Sequence, residues 1–172
     1  DSAAAKINFQ TGDFLSTLIK TVKGKMIRLD YSLSNTRPYS RYYLLQGMNG
    51  CFDSRTGLFI KGASKEAQPG YGTWDPVEKF LEKYRHPFWR KDAVTALKTG
   101  GHGGMDYIED YRLIKCLRDG VPTDMNVYDA ASLSAVVELS VQSNARRARS
   151  VDFPDFTRGQ WQRNPRLEIV HA

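Results

Sequence analysis

Tyr39-Ser40-Arg41-Tyr42-Tyr43-Leu44-Leu45-Gln46-Gly47-Met48-Asn49-Gly50-Cys51-Phe52-Asp53-Ser54-Arg55-Thr56-Gly57-Leu58-Phe59-Ile60 is the run whose reading decides the fold. Short apolar segments alternate with turn residues at intervals too small for helices. Residues 39–48 read as an aromatic-rich strand. Asn49-Gly50 is a hairpin dipeptide, because both positions tolerate positive φ. Cys51-Phe52-Asp53 returns, Ser54-Arg55-Thr56-Gly57 turns again, and Leu58-Phe59-Ile60 forms a third short strand. Upstream, Met26-Ile27-Arg28-Leu29-Asp30-Tyr31-Ser32-Leu33 alternates apolar and polar, as a strand with one buried face does. Ser34-Asn35-Thr36-Arg37-Pro38 is a proline-closed loop. The expectation is an antiparallel meander over about residues 25–62.

Helices flank it. After Thr11-Gly12-Asp13, the residues Phe14, Leu15, Leu18 and Ile19 recur at helical spacing, with Thr11 or Asp13 as the cap and Gly24 as the breaker. Residues 63–76 are rich in Gly, Pro, Ser and Gln and read as an ordered loop. Asp75-Pro76 opens a helix, proline being tolerated in a first turn, and Val77, Phe80, Leu81 and Tyr84 continue it to His86-Pro87. Phe88 and Trp89 pack, and residues 92–98 form a further short helix. Tyr107, Tyr111, Ile114 and Leu117 share a stripe over residues 105–118, which Asp119-Gly120 terminates. In residues 127–147, Ala130, Leu133, Val137 and Val141 line one face and the opposite face is also small or apolar. Such a helix is expected to be buried or pressed against a sheet. The plan is α+β, an antiparallel sheet with helices packed on one face, as one domain over residues 1–172.

Bulk properties narrow the function classes. The 172 residues are 41% hydrophobic and 26% charged, which excludes wholesale disorder and a disulfide-dense scaffold. No apolar stretch approaches the roughly 20 residues a spanning helix needs, so no membrane partner is expected. The formal net charge is +6, with basic clusters at Lys20, Lys23, Lys25 and Arg28 and at Arg146, Arg147 and Arg149. No aromatic platforms interleave with these, so they read as solvated surface and no nucleic-acid partner is expected. Cys51 and Cys116 match no metal-ligand spacing and read as buried free thiols. The start at Asp1-Ser2-Ala3-Ala4-Ala5-Lys6 reads as a cut through a longer chain.

Two strings are candidates for chemistry. Gly100-Gly101-His102-Gly103-Gly104 precedes a helix. Bare glycine backbone there lets a ligand approach, and His102 would offer acid, base or donor; an ordinary turn with an incidental histidine explains it equally well. It is not a dinucleotide fingerprint, because neither the G-x-G-x-x-G spacing nor a preceding strand is present. Arg37-Pro38-Tyr39-Ser40-Arg41-Tyr42-Tyr43 offers aromatic faces and hydroxyl donors suited to a sugar. On a strand, Tyr39 and Tyr43 would face one side and Tyr42 the other. At least one tyrosine is then core, and Tyr39, beside the proline-broken loop, is the candidate for a pocket. Asp106, Glu109 and Asp110 offer carboxylates for a general acid/base pair, but acidic residues also suit the first turn of a helix by its macrodipole; Asp106, next to the glycines, is the one to test.

Ser34-Asn35-Thr36-Arg37-Pro38-Tyr39-Ser40-Arg41-Tyr42-Tyr43-Leu44-Leu45-Gln46-Gly47, with Gly101-His102-Gly103-Gly104-Met105-Asp106, Asp129-Ala130-Ala131-Ser132 and Glu138-Leu139-Ser140-Val141-Gln142-Ser143, resembles the C-terminal domain of glycoside hydrolase family 109. These are the NAD-dependent α-N-acetylgalactosaminidases of the wider Gfo/Idh/MocA oxidoreductase superfamily. The resemblance runs from about residue 9 to 161. It implies an N-terminal Rossmann domain that binds NAD and is absent from this chain. It also implies hydrolysis of N-acetylgalactosamine-containing glycosides by transient oxidation at the sugar C3, elimination and water addition. Tyr39 is the substrate contact it implies, and His102 is added from the glycine-loop argument. The catalytic base and the NAD contacts are expected upstream of Asp1, so no catalytic residue is assigned here and the 172 residues alone are expected to be inactive. A homo-oligomer through the sheet is implied as well. Two alternatives stand beside this: the C-terminal domain of an NAD(P)-dependent sugar oxidoreductase, and a non-catalytic oligomerisation module. The family's exported bacterial members are compatible with a periplasmic or secreted setting, which the residues themselves do not fix.

Overall fold

A computed structural model describes Lys6 and residues 12–163. Along the chain run β1 (Phe14–Lys20), β2 (Met26–Ser32), β3 (Leu44–Gly47), β4 (Gly50–Asp53), β5 (Gly57–Ile60), β6 (Glu66–Gln68), β7 (Tyr71–Gly72), α1 (Glu78–Tyr84), α2 (Pro87–Thr99), α3 (Met105–Asp119) and α4 (Val127–Ala145). The α+β class stands. The expected single sheet, however, is three small antiparallel ones: β1-β2, β3-β4-β5 and β6-β7. The described residues divide into two compact units, 12–37 with 124–163, and 38–123.

In the first unit, residues 14–20 are a strand and not the expected helix. β1 pairs with β2 in unbroken register from Phe14↔Ser32 to Lys20↔Met26. Phe14, Leu15, Leu18 and Ile19 fit a helical stripe, but Leu15, Thr17 and Ile19 also alternate, and these three are the half-buried side of the strand. A seven-residue window satisfies both periods, and the cross-strand ladder decides. The Asp13 carbonyl accepts from the Leu33 N–H and extends the ladder, where a cap had been expected; Thr11 lies outside the described residues. The hairpin closes through Thr21, whose hydroxyl accepts from the Lys25 N–H at 2.9 Å, with Gly24 at φ 75°.

Helix α4 begins with a capping box: the Asn126 side chain accepts from the N–H groups of Tyr128 and Asp129, and the Asp129 carboxylate accepts from the Asn126 N–H. Its inward face differs from the expected one. Leu133 and Val137 are 64% and 65% exposed, whereas Ala131, Ala135, Val136 and Leu139 are half-buried and Ser140 is buried. With apolar residues on every side, periodicity does not choose a face. Small residues and a hydroxyl that bonds to β1 do.

In the second unit, β3, β4 and β5 form a meander in the order β3-β4-β5. It lacks β2, which the sequence placed within it, and its first strand starts at Leu44, not at residue 39. Met48-Asn49 makes the turn, and Gly50 is already β4, paired with Gly47 on one side and Ile60 on the other. Neither Asn49 nor Gly50 has positive φ. Gly50 is needed for another reason: a Cβ there would collide with the Phe59 carbonyl.

Residues 63–76 return to the meander, and the ordered loop expected there carries the short β6-β7 hairpin. Asp75 then bridges back to Leu58 through two hydrogen bonds of 2.9 Å. Helix α1 follows Asp75-Pro76-Val77 as its sequence suggests. Helix α2 is longer than the expected residues 92–98, because Pro87 starts it and His86 Nδ1 accepts from the Phe88 N–H. Phe80, Phe88, Ala96 and Cys116 are the buried apolar residues of this unit, and the Phe88 ring meets Tyr111 edge-on at 6.3 Å. Gly120, left-handed, ends α3. Both cysteines are free; Cys51 is half-buried and Cys116 buried. No helix among the described residues is long and apolar enough to cross a membrane.

Candidate functional site

Residues 38–43 carry no regular secondary structure. Strand β4 ends at Asp53, so beyond Leu44 the chain has only the following turn to pair with. That turn supplies Ser54. The Tyr43 N–H donates to the Ser54 hydroxyl at 3.1 Å, the Ser54 N–H donates to the Tyr43 carbonyl at 2.9 Å, and the Ser54 hydroxyl donates to the Arg41 carbonyl at 3.4 Å. Asp53, 8% exposed, accepts from the Arg55 N–H at 2.8 Å and pairs with its guanidinium at 3.3 Å. The same guanidinium lies 3.4 Å above the Tyr42 ring centroid. A buried carboxylate thus sets an arginine, and the arginine sets a tyrosine.

Tyr39 stands clear of this scaffold, 83% exposed. Its hydroxyl accepts a 2.5 Å hydrogen bond from Arg41 Nε. The Arg41 guanidinium holds its proton more tightly than usual, first through the hydrogen bond to Tyr39 and then through one to Tyr43. The expectation that at least one of these tyrosines is core is not met, since Tyr42 and Tyr43 are about half exposed. The strand that would have sorted them into two faces does not form here. Arg41, Ser54 and Arg55 were missed as partners. The alternation Tyr39-Arg41-Tyr43 was the available signal, because residues two apart on an extended chain share a side.

His102 sits in the joint between α2 and α3. All five residues 100–104 have positive φ, from 44° at His102 to 92° at Gly104, and for His102 that is an uncommon backbone state. Gly104 is buried, and a Cβ there would meet the backbone of Ala96, itself fully buried. The Gly104 N–H donates to the Gly101 carbonyl at 2.8 Å. These contacts leave the loop little freedom. His102 Nδ1 is 3.0 Å from both carboxylate oxygens of Asp106, one helical turn on, so Nε2 is the ring nitrogen that faces outward. A histidine so held has one defined tautomer when neutral, with Nδ1 protonated and Nε2 an acceptor. Glu109 and Asp110 lie exposed farther along α3.

The two candidates are therefore presented separately. Among the described residues, no hydrogen bond, ion pair or ring contact links Tyr39 to His102. An open apolar hollow of about 350 Å³ lies over β3-β4-β5, lined among others by Leu45, Cys51, Phe52, Leu58, Phe59 and Ile60; neither candidate lines it. No group of three metal-ligating side chains occurs among the described residues. The residues also do not fit a dinucleotide: the glycine string follows a helix and not a strand, and its spacing is wrong.

The family model for the glycosyl hydrolase 109 C-terminal domain matches residues 1–163. A glycosyl hydrolase family 109 protein of Solibacter usitatus is 43% identical over 90% of this chain and 34% of its own length. One from Shewanella putrefaciens is 43% identical over the whole chain and 38% of its own length. A Shewanella oneidensis protein named alpha-N-acetylgalactosaminidase is 42% identical over the same shares. The chain thus spans little more than a third of the curated relatives it matches. The match over residues 1–163, with these identities, shows that the chain belongs to glycosyl hydrolase family 109 as its C-terminal domain.

Proposed function

We propose that this domain forms the sugar-facing wall of an enzyme that hydrolyses α-N-acetylgalactosaminides. The observation that carries the reading is Tyr39: a ring almost wholly open to a ligand, on a segment fixed by Ser54 and oriented by Arg41. Sugars present apolar C–H faces and outward hydroxyls, and a tyrosine answers both. His102, fixed through Asp106, supplies a second polar contact. The name of the Shewanella oneidensis relative supports the substrate class.

NAD belongs to the same reading, held by the part of the parent protein outside this chain, because these residues provide no cradle for it. The domain's own share is to bind and orient the glycoside. The reading also includes self-association through sheet β1-β2. A two-stranded sheet leaves both edges open, and Phe14, Leu18 and Met26 are 60%, 70% and 63% exposed on its outer side.

The test is Tyr39→Phe in the full-length parent, assayed on an aryl α-N-acetylgalactosaminide. Loss of one neutral hydrogen bond of about 1 kcal/mol corresponds to roughly a fivefold fall in kcat/KM. Unchanged kinetics would make Tyr39 a bystander. The 172-residue chain alone, with or without added NAD, is expected to show no turnover.

A further inference from the structure

We propose that Arg41 is a positioning residue that turns the Tyr39 hydroxyl into an outward-facing hydrogen-bond donor. The inference rests on the reading of Tyr39 as a sugar contact and adds what that contact does and what sets it.

A phenol oxygen offers one O–H donor and also accepts, whereas a guanidinium only donates. In the 2.5 Å bond between Arg41 Nε and the Tyr39 oxygen, the direction is therefore fixed: Arg41 donates and Tyr39 accepts. The tyrosine's own proton points elsewhere. With the ring 83% exposed, elsewhere is the open side, where a ligand would lie. A hydroxyl that accepts from a cation is polarised and donates more strongly. The matching ligand group is an acceptor oxygen, such as a sugar hydroxyl or an acetamido carbonyl.

Arg41 is itself held for the task. Its carbonyl accepts from Ser54, and the Tyr43 amide beyond it donates to the same hydroxyl. Its guanidinium lies 5.9 Å from the Tyr39 ring centroid. Tyr43, two residues on, shares the side. A planar fork holds its donors in a fixed direction toward the Tyr39 oxygen, which a lysine ammonium on a flexible stem does less well. Among the described residues no ion pair of Arg41 with a carboxylate occurs, and Asp53, beside the Ser54 turn, is taken by Arg55.

The experiment is a double-mutant cycle in the full-length parent with an aryl α-N-acetylgalactosaminide, reading kcat and KM separately alongside thermal melting. Arg41→Ala is expected to lower kcat/KM by about two- to fivefold, no more than Tyr39→Phe does. The double variant with Tyr39→Phe should be no worse than Tyr39→Phe alone within about twofold, because Arg41 acts through that hydroxyl. Arg41→Lys should recover part of the loss, and it carries the test if the alanine variant melts early. Multiplying effects in the double variant, or unchanged kinetics in Arg41→Ala while Tyr39→Phe is impaired, would overturn the role of Arg41 and leave the sugar reading intact. A silent Tyr39→Phe would remove the sugar reading itself and this inference with it.

Discussion

The Thr17 hydroxyl lies 3.0 Å from that of Ser140, 123 residues away in the sequence. Ser140 donates its own proton to the Val136 carbonyl at 2.6 Å, so Thr17 is the donor between the two. This one bond ties strand β1 to helix α4. It also explains why a serine occupies the only buried position on a helix otherwise rich in apolar side chains.

Ser140→Ala is therefore expected to destabilise the chain by about 1–2 kcal/mol, the cost of leaving the Thr17 hydroxyl without its partner. Ser140→Leu should cost more, about 1–3 kcal/mol from overpacking added to the lost bond. Urea midpoints of the two variants against the parent sequence check the order.

The joint around His102 separates backbone from side-chain costs. Gly104→Ala adds a Cβ against Ala96 as well as a left-handed penalty and is expected to lose roughly 2–4 kcal/mol. At Gly103 a Cβ meets nothing, so Gly103→Ala should lose only the backbone share, about 1–2 kcal/mol. His102→Gly relieves a φ of 44° and should leave stability equal or slightly higher. If the imidazole serves the glycoside, the same change lowers kcat/KM in the full-length protein. A variant that is both stable and fully active would show that His102 is only a turn residue.

Acid should loosen two local structures. The Asp155 carboxyl is held below the usual range, first by the Thr157 hydroxyl and then by the Gly159 and Thr157 amides, burial opposing. Asp30 is lowered by Ser16 and then Arg28. For a depressed carboxylate the stabilisation is fully present above the ordinary pKa near 3.9 and vanishes as pH falls through the lower folded value. Stability is thus expected to decline with acidification below about pH 4. In Asp155→Asn that part of the slope should be missing. Melting temperatures from pH 2 to 6 test it.

If β1-β2 is a contact between copies, charge on its outer side should break the assembly. Leu18→Glu in the full-length protein is expected to shift the species seen by light scattering toward the monomer. Thr17 faces the other side, so Thr17→Ser leaves the assembly intact. An unaltered assembly in Leu18→Glu would place the contact elsewhere.

The legible parts of the fold were those punctuated by chemistry that acts locally. Asp75-Pro76 and Gly120 mark helix ends by what they do to their own backbone or their immediate neighbours, and the β4-β5 turn is equally local; the Pro87 start of α2 and the Asn126 cap of α4 were not read. Strand β1 was not legible, because four apolar residues in seven fit two periods and the deciding partner, β2, lies across a turn. The inward face of α4 was hidden by apolar residues on all sides. For the site, Tyr39 and His102 stood out by composition. The i, i+4 pairing of His102 with Asp106 was readable once a helix start was placed between them. Ser54 was not readable, since its hold on residues 41–43 depends on where strand β4 stops.

Five successive residues of positive φ between α2 and α3 narrow the mutational routes open to this chain at that joint. Glycine codons drift by single nucleotides to residues that carry a Cβ, and at Gly101 and Gly104 such a Cβ has nowhere to go. Randomising the four glycine positions and selecting for a folded product should return glycine at those two far more often than at Gly100 or Gly103. Innovation at this joint would then come through exchange of the whole loop, or through the histidine, whose side chain can change while Gly101 and Gly104 cannot.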